Sequence, residues 1–320
     1  MKKRNVYLVM SSIVALSVAF FTAIYFLNLE SKIKPIVAKV DTSGPPVFTN
    51  ALYGDFNQPL TKPMDVTKID ELIYVSDTSN KQVQVFDQSG TPVMKFGKEG
   101  TKEGEFKFPY GIAGDKEGNI YVADLYNANI SIFDSKGKFI KYFDDKEKAL
   151  KSPGGLRIFN NKLYVTDIKA NKVFVFNLDG KKVMEIGGPG ADEGKFIAPN
   201  AVTVDDDDQI YVTDSGNNRV QIFDKDGKFI KVINGSEDGK GASTFLNPRG
   251  VAVDSKGNVY VVNNLAHNIS AFDKDGKPLF ELGGMGTEND KLYLPNGLFI
   301  DDRDTLFVTD TINQRVSVFY

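Results

Sequence analysis

The chain has 320 residues, a formal net charge of −3, no cysteine, no tryptophan and a single histidine, His267. This small net charge gives no general attraction to nucleic acid or to anionic lipid. The lack of cysteine excludes disulfides, thiolate nucleophiles and zinc–thiolate sites, and one histidine excludes a metal site built from three histidines.

The first element in chain order is an uncharged apolar run at residues 6–27, preceded by Lys2, Lys3 and Arg4. A helix of this length spans about 33 Å, enough to cross a hydrocarbon core of about 30 Å. We interpret residues 1–28 as an uncleaved transmembrane signal-anchor with its N-terminus inside, and residues 29–44 as a linker. A cleavable signal peptide is the alternative, but its apolar region is usually about 7–15 residues and precedes a small-x-small site. No good site of that kind follows this run.

A five-residue motif then recurs six times, as IYVSD, IYVAD, LYVTD, IYVTD, VYVVN and LFVTD. The copies end at Asp77, Asp124, Asp167, Asp214, Asn263 and Asp310. A proline keeps the same period, at Pro63, Pro109, Pro153, Pro199, Pro248 and Pro295. The motif ends are 47, 43, 47, 49 and 47 residues apart, the length typical of one β-propeller blade.

Each unit repeats one order of strands and turns. In the fourth unit, residues 198–205, 210–214, 219–224 and 229–233 have the composition of four short strands. The turn KDGK between the last two carries the Asp-Gly signal of a tight hairpin. No unit shows the 3.6-residue period of a helical repeat. The pattern predicts an all-β fold, a six-bladed β-propeller with four antiparallel strands per blade.

The sixth unit stops after its third strand, at Tyr320. The missing strand has a counterpart near the other end, because DTSGPPVF at residues 41–48 aligns with DKDGKPLF at residues 273–280. We therefore expect residues 45–52 to complete the last blade and close the ring. Residues 45–320 then form one propeller and leave no length for a second domain.

The repeat resembles the NHL-repeat family of β-propellers. The resemblance rests on PRGVAVDSKGNVYVVN at residues 248–263 and DSGNNRVQIFD at residues 214–224, and it covers residues 45–320. It implies a platform for protein, RNA or carbohydrate, with a minority of relatives being enzymes. The amidating lyases among them need several histidines for zinc, which this chain does not have.

Several acidic groups favour structural roles. The carboxylate that ends five of the six motifs, with Asn263 in its place in the fifth, is expected to bind the following loop rather than to catalyse. Arg219 and Arg315 are placed to pair with Asp214 and Asp310. DDDD at residues 205–208 and DKDG at residues 224–227 and 273–276 are predicted to be turns and not calcium loops. His267 is predicted to be a loop residue.

The position after each repeat proline differs between blades, being Met64, Tyr110, Gly154, Asn200, Arg249 and Asn296. These residues begin the innermost strands, so they are expected at one mouth of the central channel. Variation at a fixed position suggests ligand recognition, although a polar, water-filled mouth is equally compatible with it. We predict that Tyr110, Asn200, Arg249 and Asn296 bind the ligand, with Arg249 available for a carboxylate or sulfate and Tyr110 for a sugar ring or a side chain.

The sequence therefore predicts a membrane-anchored, extracytoplasmic binding or scaffold propeller. Its expected partner is a protein or a cell-envelope polysaccharide and not a nucleic acid, because the loops entering the blades mix Lys with Glu and Asp. No catalytic residue, metal ligand or cofactor is predicted. The alternative is a metal-dependent hydrolase or lyase that uses the channel, as calcium lactonases of the gluconolactonase type do. Asn200 and Asn296 are present here, but the first-strand position of the ring offers no carboxylate except Asp65, which is displaced by one residue.

Overall fold

The computed structural model describes residues 44–236 and 239–320. The predicted transmembrane segment at residues 6–27 lies outside the described residues, as does all of the predicted linker except Gly44. Within the described part of the chain, no helix has both the length and the apolar character needed to cross a bilayer. Residues Pro45–Tyr320 form one compact unit.

Six four-stranded antiparallel sheets make up this unit. The N-terminal strand β1 (Phe48–Leu52) is the outermost strand of the sixth blade. A small hairpin of β2 (Gly54–Asp55) and β3 (Gln58–Pro59) then leads into the first blade. Blade 1 consists of β4 (Pro63–Ile69), β5 (Leu72–Asp77), β6 (Gln82–Phe86) and β7 (Pro92–Phe96). Blade 2 consists of β8 (Pro109–Gly114), β9 (Ile120–Asp124), β10 (Asn129–Phe133) and β11 (Phe139–Tyr142). Blade 3 consists of β12 (Pro153–Phe159), β13 (Lys162–Asp167), β14 (Lys172–Asn177) and β15 (Lys182–Gly187).

The remaining blades have the same order. Blade 4 consists of β16 (Pro199–Val204), β17 (Ile210–Asp214), β18 (Arg219–Phe223) and β19 (Phe229–Ile233). Blade 5 consists of β20 (Pro248–Val253), β21 (Val259–Asn263), β22 (Asn268–Phe272) and β23 (Pro278–Gly283). Blade 6 consists of β24 (Pro295–Ile300), β25 (Leu306–Asp310), β26 (Arg315–Phe319) and β1. Short 3₁₀ helices occupy Thr78–Asn80, Ser215–Asn217 and Asn264–Ala266.

The ring closes through the two ends of the propeller, as the sequence predicted. β1 pairs antiparallel with β26, with Leu52 opposite Val316 and Ala51 opposite Ser317. Val47 and Tyr320 exchange two backbone hydrogen bonds of 2.9 Å just beyond the strand. The first strand of every blade contacts the first strands of both neighbouring blades, including β24 against β4. The predicted six-bladed propeller with a shared last blade is confirmed.

The core lies between the blades and not inside any one of them. Six clusters of buried apolar side chains each combine residues of two adjacent blades. One example packs Leu52, Val316 and Val318 of blade 6 against Val66 and Val75 of blade 1. Each sheet therefore buries its two faces against the two neighbouring blades, and ring closure gives every blade two neighbours.

The tight turns follow from local chemistry. In the hairpin of blade 4, the Asp224 carboxylate accepts the backbone N–H groups of Asp226 and Lys228 (3.0 and 2.9 Å). Gly227 in that turn has φ of 79°, which glycine adopts without a steric penalty. The DDDD segment forms its turn in the same way, because the Asp205 carboxylate accepts the backbone N–H groups of Asp207 and Gln209. These acidic segments are turns, as predicted.

Candidate functional site

The antiparallel order gives the propeller two chemically different faces. Each first strand begins at its repeat proline, which pairs with the last residue of the second strand, as Pro109 does with Asp124. We call the face that carries these prolines, together with the loops leading into each blade, the proline face. The opposite face carries the turns between first and second strands and the hairpins between third and fourth strands, and we call it the turn face.

The repeated aspartates hold the proline face together. Asp124 accepts the N–H groups of Lys107 and Phe108, which precede the proline of its own blade (2.6 and 3.1 Å). It also accepts the N–H of Asn127 in the following loop. Asp214 has an additional ion pair with Arg219 at 2.8 Å. The structural interpretation of these carboxylates is confirmed.

Three of the four predicted ligand-binding residues meet across the channel. The Tyr110 hydroxyl donates to Asn200 Oδ1 (2.8 Å), and Asn296 Nδ2 donates to the Tyr110 hydroxyl oxygen (3.3 Å) and to the Met64 carbonyl (2.7 Å). They come from blades 2, 4 and 6, so these bonds span alternate blades. All three side chains are buried. We call this group the bridge; it occupies the channel near the proline face.

Arg249 lies apart from the bridge. It is partly buried at the start of β20, its carbonyl accepts the Thr213 hydroxyl (2.8 Å), and it is not among the residues that line the channel cavity. The bridge residues satisfy one another, so a partner on the proline face meets them only after these bonds break. Binding by this set of residues stays a prediction.

Below the bridge lies a cavity of about 230 Å³ lined by three charged side chains, of which Lys68 is paired with Asp301 and the other two have no ion pair among the described residues. The first of these two is Asp65, whose carboxylate accepts the N–H groups of Val66 (3.0 Å) and Ile112 (3.1 Å). Burial raises the pKa of Asp65 to about 7, although these donors and the charge of Arg157 act in the opposite direction. A carboxyl with such a pKa is only partly ionised at neutral pH.

The second charge is Arg157, which the sequence-based prediction missed. Its guanidinium lies over the Phe299 ring, 5.4 Å from the centroid. Burial lowers the pKa of Arg157, and the carboxylates of Asp65 and Asp206 partly offset this effect. Its Nε is buried and has no hydrogen-bond partner within residues 44–236 and 239–320. The sequence does mark Arg157 as unusual, because the same position in the other blades has no charged residue; it holds Thr67, Ala113, Thr203, Ala252 and Phe299.

The cavity continues into a wider vestibule of about 720 Å³ at the turn face. Eight acidic and three basic side chains line it: Asp70, Glu71, Asp205, Asp206, Asp254, Asp301, Asp302 and Asp304, with Lys68, Arg157 and Arg303. Lys68 and Asp301 form a largely buried ion pair at 2.7 Å that joins blades 1 and 6. Burial raises the pKa of Asp301, but hydrogen bonds from Lys68 and two backbone N–H groups bring it below its usual value.

The channel residues do not fit a divalent cation. A hard cation needs six to eight oxygen ligands for Ca²⁺, or a near-octahedral set for Mg²⁺. Asn200 Oδ1 already accepts a hydrogen bond, both oxygens of Asp65 accept backbone N–H groups, and the nearby Arg157 adds a repelling positive charge. No group of three or more His, Asp or Glu residues suited to a metal ion occurs among the described residues.

Exposed apolar side chains are distributed unevenly over the surface. Among the described residues, six of them lie one per blade on or beside the outermost strands: Val47, Val93, Ile140, Val183, Ile230 and Leu279. Eight others belong to loops of the proline face: Tyr53, Phe56, Tyr126, Ile197, Leu246, Leu265, Met285 and Ile312. On the turn face, the described part of the chain has only Tyr320, which directly follows β26. The first group recurs in every blade and follows from the fold, whereas the positions of the second group carry an exposed apolar residue in only some blades.

These loops are joined by hydrogen bonds within and between blades. Leu265 N–H donates to the Leu246 carbonyl (3.1 Å), and Ile312 N–H donates to the Tyr293 carbonyl (3.1 Å). His267 links blades 5 and 6, because its Nδ1 accepts the Leu294 N–H (3.0 Å) and its ring packs against Tyr293 at 5.2 Å. His267 is thus the loop residue that the sequence predicted. The apolar loops of blades 5 and 6 form one ordered surface.

Comparison with known proteins agrees with this architecture. The profile of a family described as "6-bladed beta-propeller" matches residues 144–209 and 202–282. A gluconolactonase from Xanthomonas campestris is 17% identical, with a TM-score of 0.63 over 87% of this chain and 95% of that protein. A streptogramin B lyase is 14% identical, with a TM-score of 0.58 over 85% of this chain and 97% of the lyase.

A Bacteroides thetaiotaomicron protein of unknown function has a TM-score of 0.62 at 13% identity, covering 81% of this chain and 69% of that one. Identities this low are informative about the fold alone. The lyase and the lactonase show that propellers of this shape can be enzymes, and they do not transfer an activity. The protein is a six-bladed β-propeller, similar in fold to lyase and lactonase propellers.

Proposed function

We propose that this protein is a membrane-anchored binding propeller of the NHL-repeat type, held outside the cytoplasm by residues 6–27, and that a partner protein docks on its proline face. One observation carries the docking proposal: the exposed apolar side chains that are not present in every blade are all in loops of that face, apart from Tyr320 at the chain end. Clusters of exposed apolar residues rimmed by polar groups are typical of interaction sites. The anchor is supported by the uncharged run and its basic flank.

The chemistry of these side chains favours a protein over a polysaccharide. Five of the eight exposed loop residues are aliphatic, namely Ile197, Leu246, Leu265, Met285 and Ile312, and only three carry a flat ring that could stack on a sugar, namely Tyr53, Phe56 and Tyr126. Phe56 stands at the tip of the β2–β3 hairpin with 98% of its surface exposed, the geometry of an anchor that inserts into a partner's pocket. Arg249, near the same mouth, is proposed to pair with a carboxylate of the partner.

The alternative function, a metal-dependent hydrolase or lyase, has weaker support. The similarity in fold to a lactonase and a lyase favours it. The donor set in the channel speaks against a divalent cation, because Arg157 lies close to Asp65 and the amide and carboxylate oxygens already accept hydrogen bonds.

Paired capture with matched variants tests the docking surface. The full chain and the double variant Leu246→Ser plus Leu265→Ser are immobilised and used to capture detergent-solubilised envelope proteins and, separately, isolated envelope polysaccharide. The control carries Val93→Ser plus Ile230→Ser on the outer strands. Exposure is similar in the two pairs, 53% and 55% against 52% and 44%, so both variants remove comparable exposed apolar area.

We expect the parent and the outer-strand control to retain the same partner protein, and the proline-face variant to lose at least tenfold in affinity, about 1.4 kcal/mol. Equal retention by both variants would contradict docking on this face. Retention of polysaccharide alone would assign the face to carbohydrate and overturn the protein partner.

A further inference from the structure

The channel cavity has the features of a separate small-molecule site, independent of the proposed docking face. At about 230 Å³ it is larger than the roughly 150 Å³ cavity that suffices for benzene. It is continuous with the vestibule, because Lys68, Arg157, Val253, Phe299 and Ile300 line both spaces. A solute can therefore approach from the turn face, while the bridge occupies the other end of the cavity.

Lys68 is paired with Asp301, and the other two charged residues that line the cavity, Asp65 and Arg157, are departures from the repeat. Asp65 stands two residues after its proline, where the other blades have Gly111, Gly155, Ala201, Gly250 and Gly297. At several of these positions a side chain has little room: a Cβ on Gly111 would overlap the Gly154 carbonyl oxygen, and one on Gly297 would meet the Asp65 carboxylate. Arg157 likewise replaces the small or apolar residues of other blades. Four blades build their inner strands without either charge, so blade construction does not require them.

Two buried donors in this cavity have no acceptor. Arg157 Nε and Asn200 Nδ2 are both without a hydrogen-bond partner among the described residues, and both residues line the cavity. Asn200 is almost fully buried, and its Oδ1 is already occupied by the Tyr110 hydroxyl. A buried donor left unsatisfied costs free energy, more so when it belongs to a charged group. The cavity therefore favours a solute that brings acceptor oxygens, one of them anionic.

The surrounding charges restrict that solute further. Two carboxylates, Asp65 and Asp206, are close enough to act electrostatically on the Arg157 guanidinium, and no direct ion pair joins them to it among the described residues. The vestibule is lined by eight acidic side chains and disfavours polyanions. A group that is positive at one end and negative at the other satisfies both charges. The apolar lining residues Leu156, Val202 and Leu298 suit an aliphatic portion between or beside them.

We propose that the cavity binds a small zwitterion of the size of a free α-amino acid, which enters through the vestibule. Its carboxylate accepts from the Arg157 guanidinium, its ammonium group faces Asp65, and Asn200 Nδ2 provides a further donor for an acceptor oxygen. The ligand's chemistry differs from that of the proline-face partner, so each site can be tested without the other.

The test is isothermal titration calorimetry on the purified full chain. The zwitterionic probes are leucine and glutamine, each as both enantiomers. Isocaproate lacks the ammonium group of leucine, and isopentylamine lacks its carboxylate. The variants are Arg157→Thr and Asp65→Gly, each of which introduces a residue found at the same position in another blade, so the fold is expected to persist. Lys141→Thr on the outer strand β11 removes one exposed positive charge far from the channel and serves as the control.

We expect at least one zwitterion to bind, with an affinity at least tenfold tighter than either single-charge analogue. Arg157→Thr and Asp65→Gly should each weaken that binding tenfold or more, and Lys141→Thr should leave it unchanged. Each variant's thermal melt verifies folding. The proposal is overturned if no zwitterion binds at millimolar concentration, if isocaproate or isopentylamine binds as tightly, or if Arg157→Thr binds like the parent.

Discussion

Closure of the ring depends on Leu52, and its truncation gives a quantitative test of the shared blade. Leu52 lies in β1 with only 1% of its surface exposed, paired with Val316 and packed at the interface between blades 6 and 1. Leu52→Ala removes buried methyl groups and leaves a cavity, at a cost of about 2–5 kcal/mol. A loss of about 3 kcal/mol is a large part of a total stability of about 5–15 kcal/mol. It lowers Tm by roughly 6–12 °C in a domain of this size.

The matched control is Val47→Ala, just before β1, because Val47 is 63% exposed. Surface changes of this kind usually stay within about 0.5 kcal/mol. Thermal unfolding followed by circular dichroism on all three proteins measures the difference. Equal melting temperatures for the Leu52 and Val47 variants would refute closure by the N-terminal strand.

Three further results are expected. Burial raises the pKa of Asp65 from 3.8 to about 7, so the carboxyl ionises more easily in the unfolded chain than in the folded one. The free energy of unfolding of the parent is therefore highest below about pH 4 and falls as pH rises through 7. Relative to the parent, Asp65→Gly should therefore gain about 4 kcal/mol in free energy of unfolding between pH 4 and pH 8, and parallel pH profiles would contradict this. Tyr110→Phe leaves the buried Asn200 Oδ1 without a donor and should cost about 1–3 kcal/mol in a urea melt, whereas Tyr126→Phe, on an exposed ring, should cost almost nothing. Mass spectrometry of the membrane-extracted protein should find residues 6–27 attached; a mature N-terminus near residue 30 would disprove the anchor.

The architecture was predictable because its signals are local and repeated. The prolines, the YV-x-D motif and the Asp-Gly turns recur with one period, and each is read within a few residues. The half unit at Tyr320 and its counterpart near Phe48 then determined how the ring closes, and the structure confirms that pairing. The β2–β3 hairpin was not predicted, since its two-residue strands carry no periodic pattern.

The site was only partly predictable, because its contacts join distant residues. Because Tyr110, Asn200 and Asn296 occupy the same position in the repeat, the sequence predicted that they lie at one level of the channel, and the structure places them there. The sequence could not show that the three bond to one another, since Tyr110 and Asn200 are 90 residues apart in the chain. The sequence-based prediction did not include Arg157 because it rested on the position directly after each proline, whereas Arg157 departs from the repeat four residues after Pro153. Asp65 was noticed, but its burial and raised pKa depend on packing that the sequence does not display.

The central claim, that the proline face binds a partner protein, is tested most directly by photo-cross-linking in intact cells. A benzophenone amino acid replaces Leu265 on the proline face in one strain and Lys225 on the turn face in another, both at exposed positions. Docking on the proline face predicts a discrete cross-linked protein from Leu265 and none from Lys225. Cross-linking of the same protein from Lys225 alone, or equally from both positions, would contradict the claim.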